Sequence, residues 1–239
     1  MKEKILRLCP LLAFVLLICG CAATPKALPI RTPPSGADVP PIHSTKVVLA
    51  SGAYKDMAIG AFSLGAISDS KIKVLEEKVN NTLVAINRSS TARTSSPVKV
   101  RVIVRHFLHA YTNTGGCMFA CVAWCLADHT NAVLFEDQFY AKAEGRLVIL
   151  PPTVRKWLYD RITERICLTT VQFYQTGGMA AESSPVEVAG TYATMEQAVK
   201  DLPSSILSLA PLGIPYATEV NWRVAEPTSK VKWDDLLKE

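Results

Sequence analysis

Cysteines carry the densest reactive chemistry in this sequence. Cys117, Cys121 and Cys125 follow a C-x3-C-x3-C spacing, with Cys167 further along the chain. That spacing sets the three on one face of either a helix or a strand, because positions four apart share a side in both. In an oxidising compartment these four thiols allow three complete pairings. Two cysteines four apart in one regular strand lie about 13 Å apart, beyond the reach of a disulfide. A bridge, if one forms, is therefore expected between Cys167 and one of Cys117, Cys121 or Cys125. The competing expectation is a set of buried, unreactive thiols packed as small apolar side chains. Zinc favours C-x2-C pairs or closely spaced histidines, and neither occurs here, so no metal site is expected.

Other candidate nucleophiles lack partners. Ala61-Phe62-Ser63-Leu64-Gly65 resembles a degenerate nucleophile elbow, with Ala61 where a glycine is usual. An α/β-hydrolase also needs its acid and then its histidine downstream, near the end of the domain, whereas the last histidine here is His129. A serine hydrolase using Ser63 stands as the alternative function. Ser68-x2-Lys71 superficially matches the β-lactamase nucleophile motif, but the chain has no Ser-Asp-Asn or Lys-Thr-Gly, and helix capping accounts for it better. Gly60-x4-Gly65 is followed by Ala66 where a phosphate loop needs lysine. His106 and His109, three apart on an expected strand, fall on opposite faces, and Glu136 and Asp137 alternate likewise, which disfavours a joint metal site and an acid–base pair respectively. No catalytic residue and no cofactor is expected.

The elements that position these residues follow from periodicity. Residues 46–51 read as a first strand, and 57–67 as an apolar, small-residue stretch. Ser68, Asp69 and Ser70 supply N-cap chemistry for a helix reaching Ile86, with Ile72, Leu75, Val79, Leu83 and Ile86 three or four apart. Residues 98–111 alternate, Val98, Val100, Val102 and Val104 on one side and Lys99, Arg101, Ile103 and Arg105 on the other. An apolar run at 117–127, a turn at 128–131 and a partner strand at 132–143 complete an antiparallel meander. Pro151-Pro152-Thr153 opens a long helix along Val154, Leu158, Ile162, Ile166 and Phe173; a shorter helix starts at Thr194, and Val220, Trp222 and Val224 suggest a late strand. The fold class is α+β: a mostly antiparallel sheet with helices packed on it. In its β-α-β-β-α beginning, the layout is similar to that of small periplasmic lipoproteins accessory to transport or assembly.

The N-terminus sets the expected address. Lys2, Lys4 and Arg7 precede an apolar core over 9–18, too short for a spanning helix but suited to a secretory signal. It ends in Ile18-Cys19-Gly20-Cys21, which resembles the lipobox of bacterial lipoproteins: an aliphatic residue, a small one, Gly or Ala, then the lipidated cysteine. Ile18, Gly20 and Cys21 match well, while Cys19 is a less usual small residue. The resemblance covers the first 21 residues and implies a cleaved signal over 1–20 and acylation at Cys21. Ala22, rather than Asp, after the cysteine implies delivery to the outer membrane of a Gram-negative cell, with the body in the periplasm. Residues 21–46 hold six prolines and no apolar periodicity, which reads as a lipidated, extended tether, leaving 47–239 as a single domain.

Loss of three basic and one acidic residue with the signal lowers the formal charge from +5 to +3. No run of Lys and Arg with interleaved aromatics occurs, so nucleic acid is not an expected partner. The expected function is non-catalytic: a membrane-anchored domain accessory to envelope assembly, transport or maintenance through a protein partner. A lipid or small-ligand carrier lined by the apolar segments at 57–67 and 117–127 is a further alternative.

Overall fold

The computed structural model describes residues 39–50, 54–57, 68–88, 96–112, 115–146, 151–178, 186–200 and 230–238. The signal, the lipobox, Ser63, the stretch 58–67 and the expected strand at 220–224 lie outside the described residues. Among the described residues, six strands form one sheet: β1 (Ile42–Leu49), β2 (Tyr54–Met57), β3 (Val98–Thr112), β4 (Gly115–Ala127), β5 (Val133–Arg146) and β6 (Thr191–Tyr192). The helices among them are α1 (Asp69–Arg88), α2 (Pro151–Gln175), α3 (Met195–Lys200) and α4 (Asp234–Leu237).

The order across the sheet is β1-β3-β4-β5-β6, with β2 beside the second half of β3. β1 and β2 both run parallel to β3, in line with each other, and α1 makes the crossover; the remaining pairings are antiparallel. The protein is thus α+β, with a mostly antiparallel sheet, as its alternating and helical periods imply.

The helical layer covers one sheet face. Ile72, Leu75, Val79, Leu83 and Ile86 of α1, and Val154, Leu158, Ile162 and Ile166 of α2, pack on Val100, Val102 and Val104, on Met118, Ala120, Val122, Trp124 and Leu126, and on Phe139 and Ala141. The β3 alternation is interrupted by a bulge between Val104 and His106. The extra residue lets Phe107 return to the helix side, where it joins the same cluster as Val104. Arg105, at the bulge, donates from Nη1 to Gln138 Oε1 at 2.7 Å.

β4 is central and closed on both faces, since every residue from Cys117 to Ala127 is at most 2% exposed. Burial on both faces accounts for its unbroken apolar run, and the part of that run facing away from the helices is covered at Ala123, Cys125 and Ala127 by residues 231–237. The turn into β5 is built by Asp128, whose Oδ1 accepts bonds from the backbone of Thr130 and Ala132 at 2.8 and 2.9 Å, with Asn131 at φ 70°.

The domain begins earlier than the composition implies. Val39 is fully buried, its carbonyl accepts from Asn87 Nδ2 at 2.7 Å, and Pro41 O accepts from Val98 N at 2.9 Å. Proline lacks a donor but keeps its carbonyl, so a Pro-rich stretch can still dock through accepted bonds. Residues 39–46 therefore belong to the domain, and the expected tether boundary at 46 moves back before Val39.

Candidate functional site

Cys117, Cys121 and Cys125 share the β4 face that points away from the helices, in line with their four-residue spacing. Cys167 sits on α2 within the helix-side core. The sheet backbone stands between them, so the structure does not bring Cys167 to any of the three, and all four are buried free thiols. Burial pushes the Cys117 and Cys125 thiols up to about 12 and raises Cys167 as well. A thiol held protonated is a poor nucleophile and a poor metal ligand.

The carboxylates also diverge. Glu136 accepts from Trp233 Nε1 at 3.0 Å on the face away from the helices, while Asp137 stands 3.4 Å from Arg165 Nη2 of α2. His106 is in register with Cys121 and His109 with Met118, which places the two residues on opposite faces. Ser68 is exposed at the start of α1, where its carbonyl accepts from Lys71 N at 2.9 Å, a helix-capping position. Among the described residues, no group of three or more His, Cys, Asp or Glu is arranged to hold a metal.

Two features that periodicity does not reveal meet at Arg101. The first is a groove of about 450 Å³ along the outer edge of β1, lined by residues 44–49 and by Asp69, Ile72, Lys73 and Glu76 of α1, with Arg101 at its wall. Glu76 Oε2 accepts from Val47 N at 2.8 Å, so a helix side chain caps an outward strand N–H. Thr45 Oγ1 donates to Asn80 Oδ1 at 3.1 Å beside it. Among the described residues, β1 pairs with no strand except β3.

The second is a C-terminal clip, residues 231–237, laid on the sheet face that carries the three cysteines. Trp233 and Leu237 pack on Ala123, Cys125 and Ala127, flanked by Ile103, Val231 and Leu236. Arg101 Nε donates to Leu236 O at 2.7 Å, and its Nη1 donates to Ser44 O, Ser44 Oγ and Val100 O at 3.1–3.3 Å. Lys99 Nζ reaches Leu237 O at 3.4 Å and Asn131 Oδ1 at 2.7 Å. Arg101 is 2% exposed, and burial lowers its pKa against the opposing influence of Cys125 and Glu76. Alternation with Lys99 and Arg105 suggests a solvated arginine; the clip is what buries it.

No family model matches the sequence, and no curated protein matches it. By fold the chain is similar to a DUF330-family protein from Xanthomonas campestris, with a TM-score of 0.43 and 12% identity over 64% of this chain and 95% of that one. It is also similar to a candidate lipoprotein from Caulobacter crescentus, with a TM-score of 0.27 and 13% identity over 53% of this chain and 87% of that one. A third structure, of an uncharacterized protein, gives 0.35 and 10% identity over 56% and 92%. Among the described residues, no helix is long and apolar enough to cross a membrane.

Proposed function

We propose that this chain is a bacterial lipoprotein, acylated at Cys21 and held at the outer membrane, whose α+β domain binds a protein partner as an accessory to envelope assembly, transport or maintenance. Ile18-Cys19-Gly20-Cys21, at the end of a short apolar core, supports the anchor. Ala22 after the cysteine supports the outer-membrane address by the lipobox resemblance. Two or three acyl chains, at about 0.8 kcal/mol per buried CH₂, anchor a chain stably.

The observation that carries the partner reading is the groove along β1. It lies beside a strand edge that no other described strand covers, and Lys73, Asp69 and Glu76 give it charges of both signs. With Glu76 already holding Val47 N, an extended segment of a partner fits the groove beside this edge chiefly through its side chains, rather than as an added strand.

A photo-crosslinking residue at Lys73, which is exposed, tests the reading in cells. One discrete envelope-protein adduct is expected there and none from the same probe at exposed Lys156, on α2. Absence of a Lys73-specific adduct defeats the partner reading. Fractionation of Cys21→Ser tests the anchor separately: the wild type tracks with membrane, and the variant becomes soluble or keeps its signal. An unchanged distribution and mass defeat the lipidation reading.

A further inference from the structure

The clip is held in an unusual way for a piece of a fold. Its helix, α4, spans four residues, too few to persist alone, so the surface beneath imposes its shape. Its backbone joins no strand of the sheet; the hydrogen bonds within it run from Leu236 N and Leu237 N to Trp233 O, at 2.9 and 3.0 Å. The polar bonds described between sheet and clip instead use sheet side chains: Arg101 and Lys99 donate to clip carbonyls, and Glu136 accepts from Trp233 Nε1.

The surface reads general features of a short helical turn. Ala123, Cys125 and Ala127 of β4 form a floor of small side chains that leaves room for one indole and one leucine. Glu136, from β5, accepts the indole N–H at 3.0 Å. At the other end, Arg101 and Lys99 from β3 take the carbonyls of Leu236 and Leu237, the acceptors that a helix end leaves without partners. Two cations at that end also suit the negative pole of the turn. An aromatic N–H donor, a leucine four residues later and two terminal carbonyls are what is recognised.

We propose that this face is a peptide-recognition surface and that residues 231–237 are its built-in, exchangeable occupant. The external ligand it takes is a peptide segment with a tryptophan four residues before a leucine, on one helical turn. This inference is independent of what occupies the β1 groove. A tethered occupant competes at an effective concentration on the order of millimolar, so the wild-type chain admits an outside peptide only weakly. Weakening the clip opens the site.

The test is fluorescence anisotropy of a labelled synthetic peptide matching residues 230–239, titrated with the full chain in detergent. The Trp233→Ala chain is expected to bind this peptide at least about tenfold more tightly than the wild type, since its own occupant is impaired. The same peptide with its tryptophan replaced by alanine is expected to lose that binding. No binding to the Trp233→Ala chain, equal binding to both chains, or indifference to the peptide's tryptophan each overturns the proposal. Leu237→Ala is the second variant, should Trp233→Ala not fold. In the wild type, Cys125 beneath the clip is expected to be trapped by a thiol reagent faster than Cys167 in the helix-side core. Equal trapping of the two also overturns the proposal, because it means that the clip leaves only when the whole domain unfolds.

Discussion

Arg101 Nε lies 2.7 Å from the carbonyl of Leu236, joining β3 to a segment 135 residues later in the chain. The same guanidinium holds Ser44 of β1 through Nη1, so one side chain ties the first strand, the second face of the sheet and the C-terminal clip together. Replacing it with methionine keeps the stem but leaves the Leu236 and Ser44 acceptors without their donor. A loss of about 2–4 kcal/mol is expected, since each bond to a charged group contributes more than a neutral one. Urea unfolding of Arg101→Met checks this: a lower midpoint with unchanged slope is the expected result. A midpoint equal to that of the wild type would show that the clip and β1 stand without the arginine.

The buried thiols make a prediction about alkali. Cys117 and Cys125 titrate near 9.0 when exposed and are pushed up to about 12 in the fold, chiefly by burial. The folded state therefore favours the protonated thiol. Its contribution is complete below about pH 9 and is lost as pH rises towards 12, because the unfolded chain releases protons that the native one keeps. Each thiol adds a slope of up to about 1.4 kcal/mol per pH unit in that window. Tyr159 and Tyr174, also raised to about 12 by burial, act in the same direction. Urea midpoints between pH 8 and pH 11 should fall, and Cys125→Ala should make the decline shallower. A flat profile would mean that the thiols meet water in the native state.

Much of this fold is legible in the sequence where one physical period dominates. The five apolar residues of α1 all reach the core, and so do the valines at 98, 100, 102 and 104. Two kinds of residue hid from such reasoning. Residues 39–46 carry prolines, whose composition speaks of extended chain while their carbonyls can still accept tertiary bonds. The clip is too short to have a period, and Arg101 gives no local sign of being covered from so far away. A faint signal does exist: Trp233 and Leu237 stand four apart, with Asp234 and Asp235 in the first turn between them. α2 shows the same limit, since Arg161, Glu164 and Arg165 are buried on a helix whose apolar stripe predicts a solvated opposite face. Their compensation is partly local, Arg161 pairing with Glu164 one turn on at 2.9 Å, and partly tertiary, Arg165 lying 3.4 Å from Asp137 of β5.

Gly190 is expected to tolerate no side chain. Its φ is +77°, and a Cβ there would stand 3.0 Å from the Lys142 carbonyl. Its own carbonyl accepts from Lys142 N at 2.8 Å, which extends the short β5–β6 pairing. Gly190→Ala combines left-handed strain with a backbone contact that cannot easily move, for a loss of about 2–3 kcal/mol. Gly177→Ala is the matched control, with φ +65° and no heavy atom within 4 Å of the added Cβ. Only the strain applies there, about 1 kcal/mol. Thermal unfolding of the pair should place Gly190→Ala lower; the reverse order would contradict the close approach to Lys142.

Glu76 guards the edge beside which a partner is proposed to bind. Its carboxylate accepts Val47 N at 2.8 Å, occupying an outward donor that an added strand would otherwise use. Removing it as Glu76→Ala forfeits one charge-assisted bond, about 1–2 kcal/mol, but leaves the amide beside an open groove where water can take it. The stability cost should therefore be modest and the gain in edge reactivity larger. Glu76→Ala is expected to unfold at a slightly lower urea concentration, and to self-associate on concentration where the wild type does not. Sedimentation velocity at two protein concentrations separates the two effects, since lost stability alone does not raise the mass of the folded species. If Glu76→Ala stays at the wild-type mass, the β1 edge is closed to an added strand by something other than this carboxylate.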